Sequence, residues 1–167
     1  MKLKVAWIGK AGKTSKAGKS KNPAIQTLTG EYLDRIARYA DVEGLALKDE
    51  AALLKLVARD ARPVRHVLVL LDSRGKQLSS EELARFLGEH QQRNPLPLLF
   101  AVGPADGFTD EALGAAGMVL SLGKITIAHE LARVVLLEQL YRGFTILKGH
   151  PYHVGHHSHG KFRPVPS

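Results

Sequence analysis

Two continuous apolar runs, HVLVLL at 66–71 and LPLLFAV at 96–102, constrain the fold more than any other feature of the sequence. A short run without alternation suits a strand buried on both faces, which happens when helices cover both sides of a parallel sheet. The segments around these runs supply such helices. Asn22 is placed to cap a helix opening at Pro23, with Ile25, Leu28, Tyr32, Leu33 and Ile36 at helical spacing. Asp49 caps a second, carrying Leu53, Leu54, Leu56 and Val57 and ending before Pro63. Ser79 and Glu82 stand at capping-box spacing and open a third, through about Gln92. A short helix is expected over 109–116 and a long one over 128–147, stopped by Gly149. Further strands are expected at Leu3–Ile8, Val42–Leu47 and Met118–Leu122, with Pro97 limiting pairing at the start of the second apolar run. Strands alternating with helices predict an α/β fold with a mainly parallel sheet.

The long C-terminal helix carries Leu131, Val134, Val135, Leu137, Leu140, Tyr141 and Phe144, too many apolar residues for one narrow stripe. Such a helix is either central or covered by a partner chain, and a homodimer is expected. The 167 residues fit one domain, taken as 1–153, followed by a His/Pro-rich tail at 154–167 that is expected to be flexible. The chain has no cysteine, so disulfides, thiolate metal ligands and a cysteine nucleophile are excluded. The opening MKLKVAWIGK is too short in apolar length for a signal peptide, and no stretch approaches a bilayer span. A soluble cytoplasmic protein with no membrane partner is expected.

The net charge of +8 is unevenly placed. Residues 1–30 hold seven lysines and no acid, whereas the remainder holds 17 basic and 16 acidic residues. The excess is one arm, centred on the Lys/Gly-rich segment at 9–21, on a nearly neutral body. Such a block attracts phosphate backbones or anionic surfaces, or is simply a solvated loop. Within it, Gly12-Lys13-Thr14 and Gly18-Lys19-Ser20 imitate the end of a phosphate loop, but the required earlier glycine is replaced by Trp7 and Lys13, so neither copy qualifies. The histidines at 150, 153, 156, 157 and 159 lack a neighbouring Cys or carboxylate to complete a metal site, and they read as a solvated tail with no metal.

Open parallel sheets bind ligands beyond the carboxyl ends of their strands. Three glycine-containing segments are expected there: Leu71-Asp72-Ser73-Arg74-Gly75-Lys76, Val102-Gly103-Pro104-Ala105-Asp106-Gly107, and Ser121-Leu122-Gly123-Lys124-Ile125-Thr126-Ile127. Backbone groups at glycines can read an adenine edge while apolar side chains hold its faces, but three ordinary turns fit the spacing equally. Beyond the long helix stand Tyr141-Arg142 and Tyr152-His153. Arg142 can clamp an imide oxygen and His153 can move a proton, or these are a dipole-favoured Arg and a packed Tyr.

Taken together, LDSRGKQLSSEELA, FAVGPADGF and LSLGKITIAHELARVVLLEQLYRGFTILKGHPYH resemble, in order and spacing, the SPOUT methyltransferases that modify N3 of a pseudouridine in helix 69 of 23S ribosomal RNA. The likeness runs from about Val67 to His153. It implies a trefoil-knotted sheet, a homodimer, and S-adenosyl-L-methionine held bent in the knot. The cofactor positions it implies are Leu71, Gly103, Leu122, Gly123, Lys124, Ile125, Thr126 and Ile127. Arg142, Tyr152 and His153 match the end that faces the acceptor nucleotide, with His153 a candidate base and direct loss of the proton to water the equal alternative. Lys10, Lys13, Lys16 and Lys19 are expected to contact RNA backbone, within the assembled ribosome. The chain departs from the family at Pro104, where a second glycine is common, at Gly123, where Ser is common, and at Ala128, where Pro is common. It also continues 14 residues past His153. A non-catalytic RNA-binding SPOUT module and a SPOUT enzyme acting on tRNA are the alternatives.

Overall fold

The structure, a computed structural model, describes residues 1–9, 22–104 and 106–154. In chain order its elements are β1 (Lys2–Ile8), α1 (Pro23–Ile36), β2 (Asp41–Leu47), α2 (Glu50–Val57), β3 (Val67–Gln77), α3 (Ser80–Arg93), β4 (Leu98–Val102), α4 (Asp110–Ala115), β5 (Met118–Ser121) and α5 (His129–Leu147). Four helices begin where a side chain satisfies an orphan N–H. Asn22 accepts from Ala24 N at 3.0 Å, Asp49 from Ala52 N at 2.9 Å, Ser79 from Glu82 N at 3.0 Å, and Thr109 from Ala112 N at 3.3 Å. Helix α5 has no side-chain cap; it ends at Gly149, whose φ of 67° and N–H bond to Ile146 O close the last turn.

The five strands form one sheet in the order β2-β1-β4-β3-β5, every pair parallel. Successive residues of β4 explain why its run is apolar throughout. Leu98, Phe100 and Val102 join the core under α1, α3 and α5, while Leu99 and Ala101 join a second core with Leu53, Phe108 and Ala112 under α2 and α4. The mainly parallel, helix-flanked sheet expected from the sequence is therefore what forms.

One expectation fails. The segment 71–76 is not a loop beyond the strand end, because β3 runs on to Gln77. Leu71 and Lys76 both pair with Leu120, so residues 72–75 are a bulge inside the β3–β5 pairing. Gly75 makes this packing feasible: a Cβ there would lie 2.5 Å from the carbonyl carbon of Val119, in the backbone of β5. The bulge is tied from its other side. Arg74 Nε donates to Asp72 Oδ1 at 2.8 Å and Nη2 to Oδ2 at 2.9 Å, and Nη2 also donates to Phe108 O at 2.9 Å.

Candidate active site

A cleft of about 270 Å3 opens where β5 ends. One wall is the link from β3 into α3, Gln77, Leu78 and Ser79; the floor is Leu120 to Gly123; the opposite wall is α5, through Val135, Leu136 and Gln139. Leucine and valine side chains dominate, with amide and hydroxyl groups from Gln77, Ser79 and Gln139 at the rim, the composition of a small-molecule site. Gly123 has a φ of 123°, and nothing lies within 4 Å of where a Cβ would project. Ser121 fixes that turn, its Oγ accepting from Gly123 N at 3.2 Å and donating to Gly123 O at 3.1 Å.

Of the cofactor positions implied by resemblance, Leu122 and Gly123 line this cleft. Leu71 stands beside it, opposite Leu120 in the strand register. Gly103 and the stretch Lys124 to Ile127 are not part of its lining. Gly103 is buried under Phe108, with a would-be Cβ 2.6 Å from the ring, so packing already demands glycine there. Lys124, Ile125 and Thr126 are exposed. Lys10, Lys13, Lys16 and Lys19, with most of the tail, fall outside the described residues.

Arg142, Tyr152 and His153 are brought together at the far end of α5, around Glu138, a residue that no sequence motif singles out. Glu138 Oε1 accepts from Arg142 Nε at 3.0 Å, from Arg142 Nη2 and from Tyr152 OH at 3.1 Å. The Arg142 guanidinium also lies 5.0 Å over the Tyr152 ring, and Tyr152 meets Tyr141 edge-on at 4.6 Å. Arg142 Nη1 donates to His153 Nδ1 at 3.1 Å, and His153 Nε2 lies 2.8 Å from Glu81 Oε1. Because an arginine only donates, Nδ1 must carry its lone pair, so the ring proton sits on Nε2 and points at Glu81. Both nitrogens of His153 are thus engaged, which suits a group that orients Arg142 better than a free base.

The hydrogen bonds from Arg142 to Glu138, its strongest influence, hold the guanidinium firmly protonated against the effect of burial. Burial, then the hydrogen bond with Tyr32, pushes the Tyr152 phenol up, so it remains a donor. Glu138 is visible in the sequence only as the i−4 partner of Arg142 on a helix. Glu81 is not, standing 72 residues from His153 and meeting it only through the packing of α3 on α5. Among the described residues no group of three His, Cys, Asp or Glu side chains is placed to hold a metal. None of their helices is long and apolar enough to cross a membrane.

The chain that carries this helix-flanked parallel sheet, the cleft at the β5–α5 junction and the cluster beyond it is matched almost throughout by one class of methyltransferase. The family described as Predicted SPOUT methyltransferase matches residues 1–153, and the chain belongs to it. Within that family it is similar to Ribosomal RNA large subunit methyltransferase H of Koribacter versatilis, at 59% identity covering 93% of this chain and 100% of that protein. It is also similar to the protein of the same name from Geotalea daltonii, at 39% identity covering 92% and 99%. Among solved structures, a probable methylase family protein from Haemophilus influenzae shares the fold, with a TM-score of 0.52 at 12% identity, covering 92% of this chain and 70% of that one.

Proposed function

We propose that this chain is an S-adenosylmethionine-dependent methyltransferase that methylates N3 of a pseudouridine in helix 69 of 23S ribosomal RNA. The observation that carries the reading is the placing of the Leu122–Gly123 cleft and the Arg142–Tyr152–His153 cluster along one helix, joined by Gln139 and Glu138. The relatives named Ribosomal RNA large subunit methyltransferase H support the choice of ribosomal RNA. The cleft suits the cofactor chemically. Leu78, Leu83, Leu122 and Val135 offer apolar faces to an adenine, Gly123 leaves room beside its backbone, and the amides of Gln77 and Gln139 offer partners for polar groups.

The cofactor supplies an electrophilic methyl group on a sulfonium. The chain's residues must bring the acceptor nitrogen in line with it and favour the imide anion. Arg142 supplies the charge for that anion. Its bonds to Glu138 are charge-assisted, whereas its bond to His153 is to a neutral acceptor, so an incoming imide oxygen most readily replaces His153 at Nη1. On this reading the imide proton leaves to solvent; Glu138 and Tyr152 hold Arg142 in place throughout, and His153 holds it until the acceptor arrives.

A trefoil knot at the C-terminal part of the sheet, cytoplasmic action on the assembled ribosome, and a homodimer belong to the same proposal. The dimer is supported by the exposed Leu131 and Leu147 of α5, which leave part of that helix's apolar surface uncovered outside the cleft. Lys10, Lys13, Lys16 and Lys19 are proposed to hold RNA backbone. Replacing Lys13, Lys16 and Lys19 with Ala then lowers the log–log salt slope of RNA binding by about 0.7 to 0.9 for each phosphate no longer neutralised. The main test is mass spectrometry of 23S ribosomal RNA from cells with and without the protein, alongside calorimetry with S-adenosylhomocysteine. Unchanged methylation sinks the substrate assignment. No binding at millimolar S-adenosylhomocysteine sinks the enzyme reading and leaves an RNA-binding module.

A further inference from the structure

Gln139 belongs both to the cleft and to the network around Arg142. Its side chain lines the cleft wall, across from Gln77 to Ser79. Its Oε1 accepts from Ser80 Oγ at 2.6 Å, and its Nε2 donates to Glu138 Oε2 at 2.8 Å. The amide is therefore fixed at both ends, and its orientation is not interchangeable: a flipped amide would set an oxygen against the Glu138 carboxylate. The bond to Oε2 in turn decides which way the carboxylate faces. With Oε2 held by Gln139, Oε1 is presented to Arg142 and to Tyr152. Ser80 and Glu81 are consecutive in the first turn of α3; one holds Gln139 and the other holds His153. A ligand entering the cleft thus touches Gln139, on which the Glu138 carboxylate rests, and Ser79, which precedes Ser80 and Glu81 in the chain.

We infer that Gln139 is a positioning residue that couples occupancy of the cleft to the acceptor end of the site, so that bound cofactor orders Arg142 and Tyr152 for RNA. This rests on the function proposed above. Coupling of this kind is a free energy shared between two binding events, and it must be the same whichever ligand binds first. An amide wedged between a hydroxyl and a carboxylate is a short physical path for it, two hydrogen bonds long.

The experiment measures the affinity of the full-length protein for assembled ribosomes whose helix 69 is unmethylated, with and without saturating S-adenosylhomocysteine. It is run on the wild type, Gln139→Met and Ser80→Ala. Methionine keeps the length and helix propensity of glutamine but has no amide. Ser80→Ala frees the same amide from the other side without touching α5. In the wild type the ligand raises ribosome affinity by about fivefold or more, within the range usual for coupled sites. In both variants the factor falls to about one. The factor is a ratio, so it is read whatever happens to either single affinity. A factor equal to wild type in Gln139→Met overturns the inference, and if S-adenosylhomocysteine affinity has dropped it makes Gln139 a cofactor contact only. A wild-type factor of one also overturns it. Failure of the wild type to bind S-adenosylhomocysteine at all is a different result and removes the enzyme reading itself.

Discussion

Replacing Asp72 with Asn removes one charge from the bulge in β3 and should expose how much that charge contributes. The carboxylate side chain is only 5% exposed and receives two side-chain bonds and one backbone bond from Arg74. These bonds, the side-chain ones foremost, draw its pKa from an ordinary 3.8 down to about 2. Each tenfold in that equilibrium is worth about 1.36 kcal/mol, which gives roughly 2 kcal/mol at neutral pH. Arg74 is 53% exposed, so solvent screening reduces the expected loss to about 1–2 kcal/mol. The sign follows from the direction of the shift. A carboxyl more acidic in the folded state than in the unfolded state stabilises the fold above the ordinary value, and loses that contribution as the pH falls through about 2. The gap between wild type and Asp72→Asn should therefore be full at pH 5–7, about half by pH 3, and close below that. Urea unfolding followed by the fluorescence of Trp7, the only tryptophan, measures it. Protein concentration must be held fixed so that any association does not shift the midpoint. A gap that stays constant from pH 7 to pH 3 would refute the electrostatic reasoning and assign the bulge's stability to shape alone.

Two glycines should respond oppositely to alanine. Gly75→Ala sets a methyl against the immovable backbone of Val119 and should cost about 1–3 kcal/mol, lowering Tm by roughly 3–10 °C, whereas Gly30→Ala, mid-helix with nothing within 4 Å, should raise stability by about 0.5–1 kcal/mol. Equal responses in thermal melts would contradict the packing described. Arg133 is 5% exposed with its Nε unpartnered, and burial lowers its pKa, while its guanidinium stacks 4.2 Å over Trp7. Desolvation of several kcal/mol should outweigh a stacking gain of about 2 and the attraction of Glu130, so Arg133→Met should melt at or above the wild-type temperature; a fall exceeding about 1 kcal/mol would show that the stacking and the Glu130 charge together dominate.

The elements legible in the sequence were those whose signal is local. Caps at Asn22, Asp49 and Ser79 mark helix starts to within a residue because each satisfies an N–H two or three positions away, and the helix expected over 109–116 forms over Asp110–Ala115 behind Thr109, a cap not singled out from the sequence. The apolar runs of β3 and β4 announce burial on both faces, and the parallel sheet follows. The continuation of β3 past Leu71 was not legible. Asp-Ser-Arg-Gly has turn composition, and what makes it a bulge is Gly75 pressed on the backbone of β5, a contact across more than forty residues.

The same division between local and distant signals runs through the candidate site. Leu122 and Gly123 could be placed at a strand end from their own neighbourhood, and Arg142 at a helix end from its own. The groups that decide what those residues do come from elsewhere in the chain. Gly103 was assigned to a ligand by resemblance, yet the ring of Phe108 already explains why no side chain fits there. His153, read alone, is one candidate base beside water; next to Arg142 and Glu81 it is an acceptor on one nitrogen and a donor on the other. An imidazole's role is set by what its second nitrogen meets, and that partner sits at the start of α3. A single arginine can be read as a clamp, but its charge is already balanced by Glu138. Of its bonds to protein, only that from Nη1 to His153 meets a neutral atom; under the proposed function this bond and the second hydrogens of Nη1 and Nη2 are what the guanidinium can offer an acceptor. The chemistry of this end of the molecule is therefore a property of the α3–α5 packing, which no segment of either helix displays by itself.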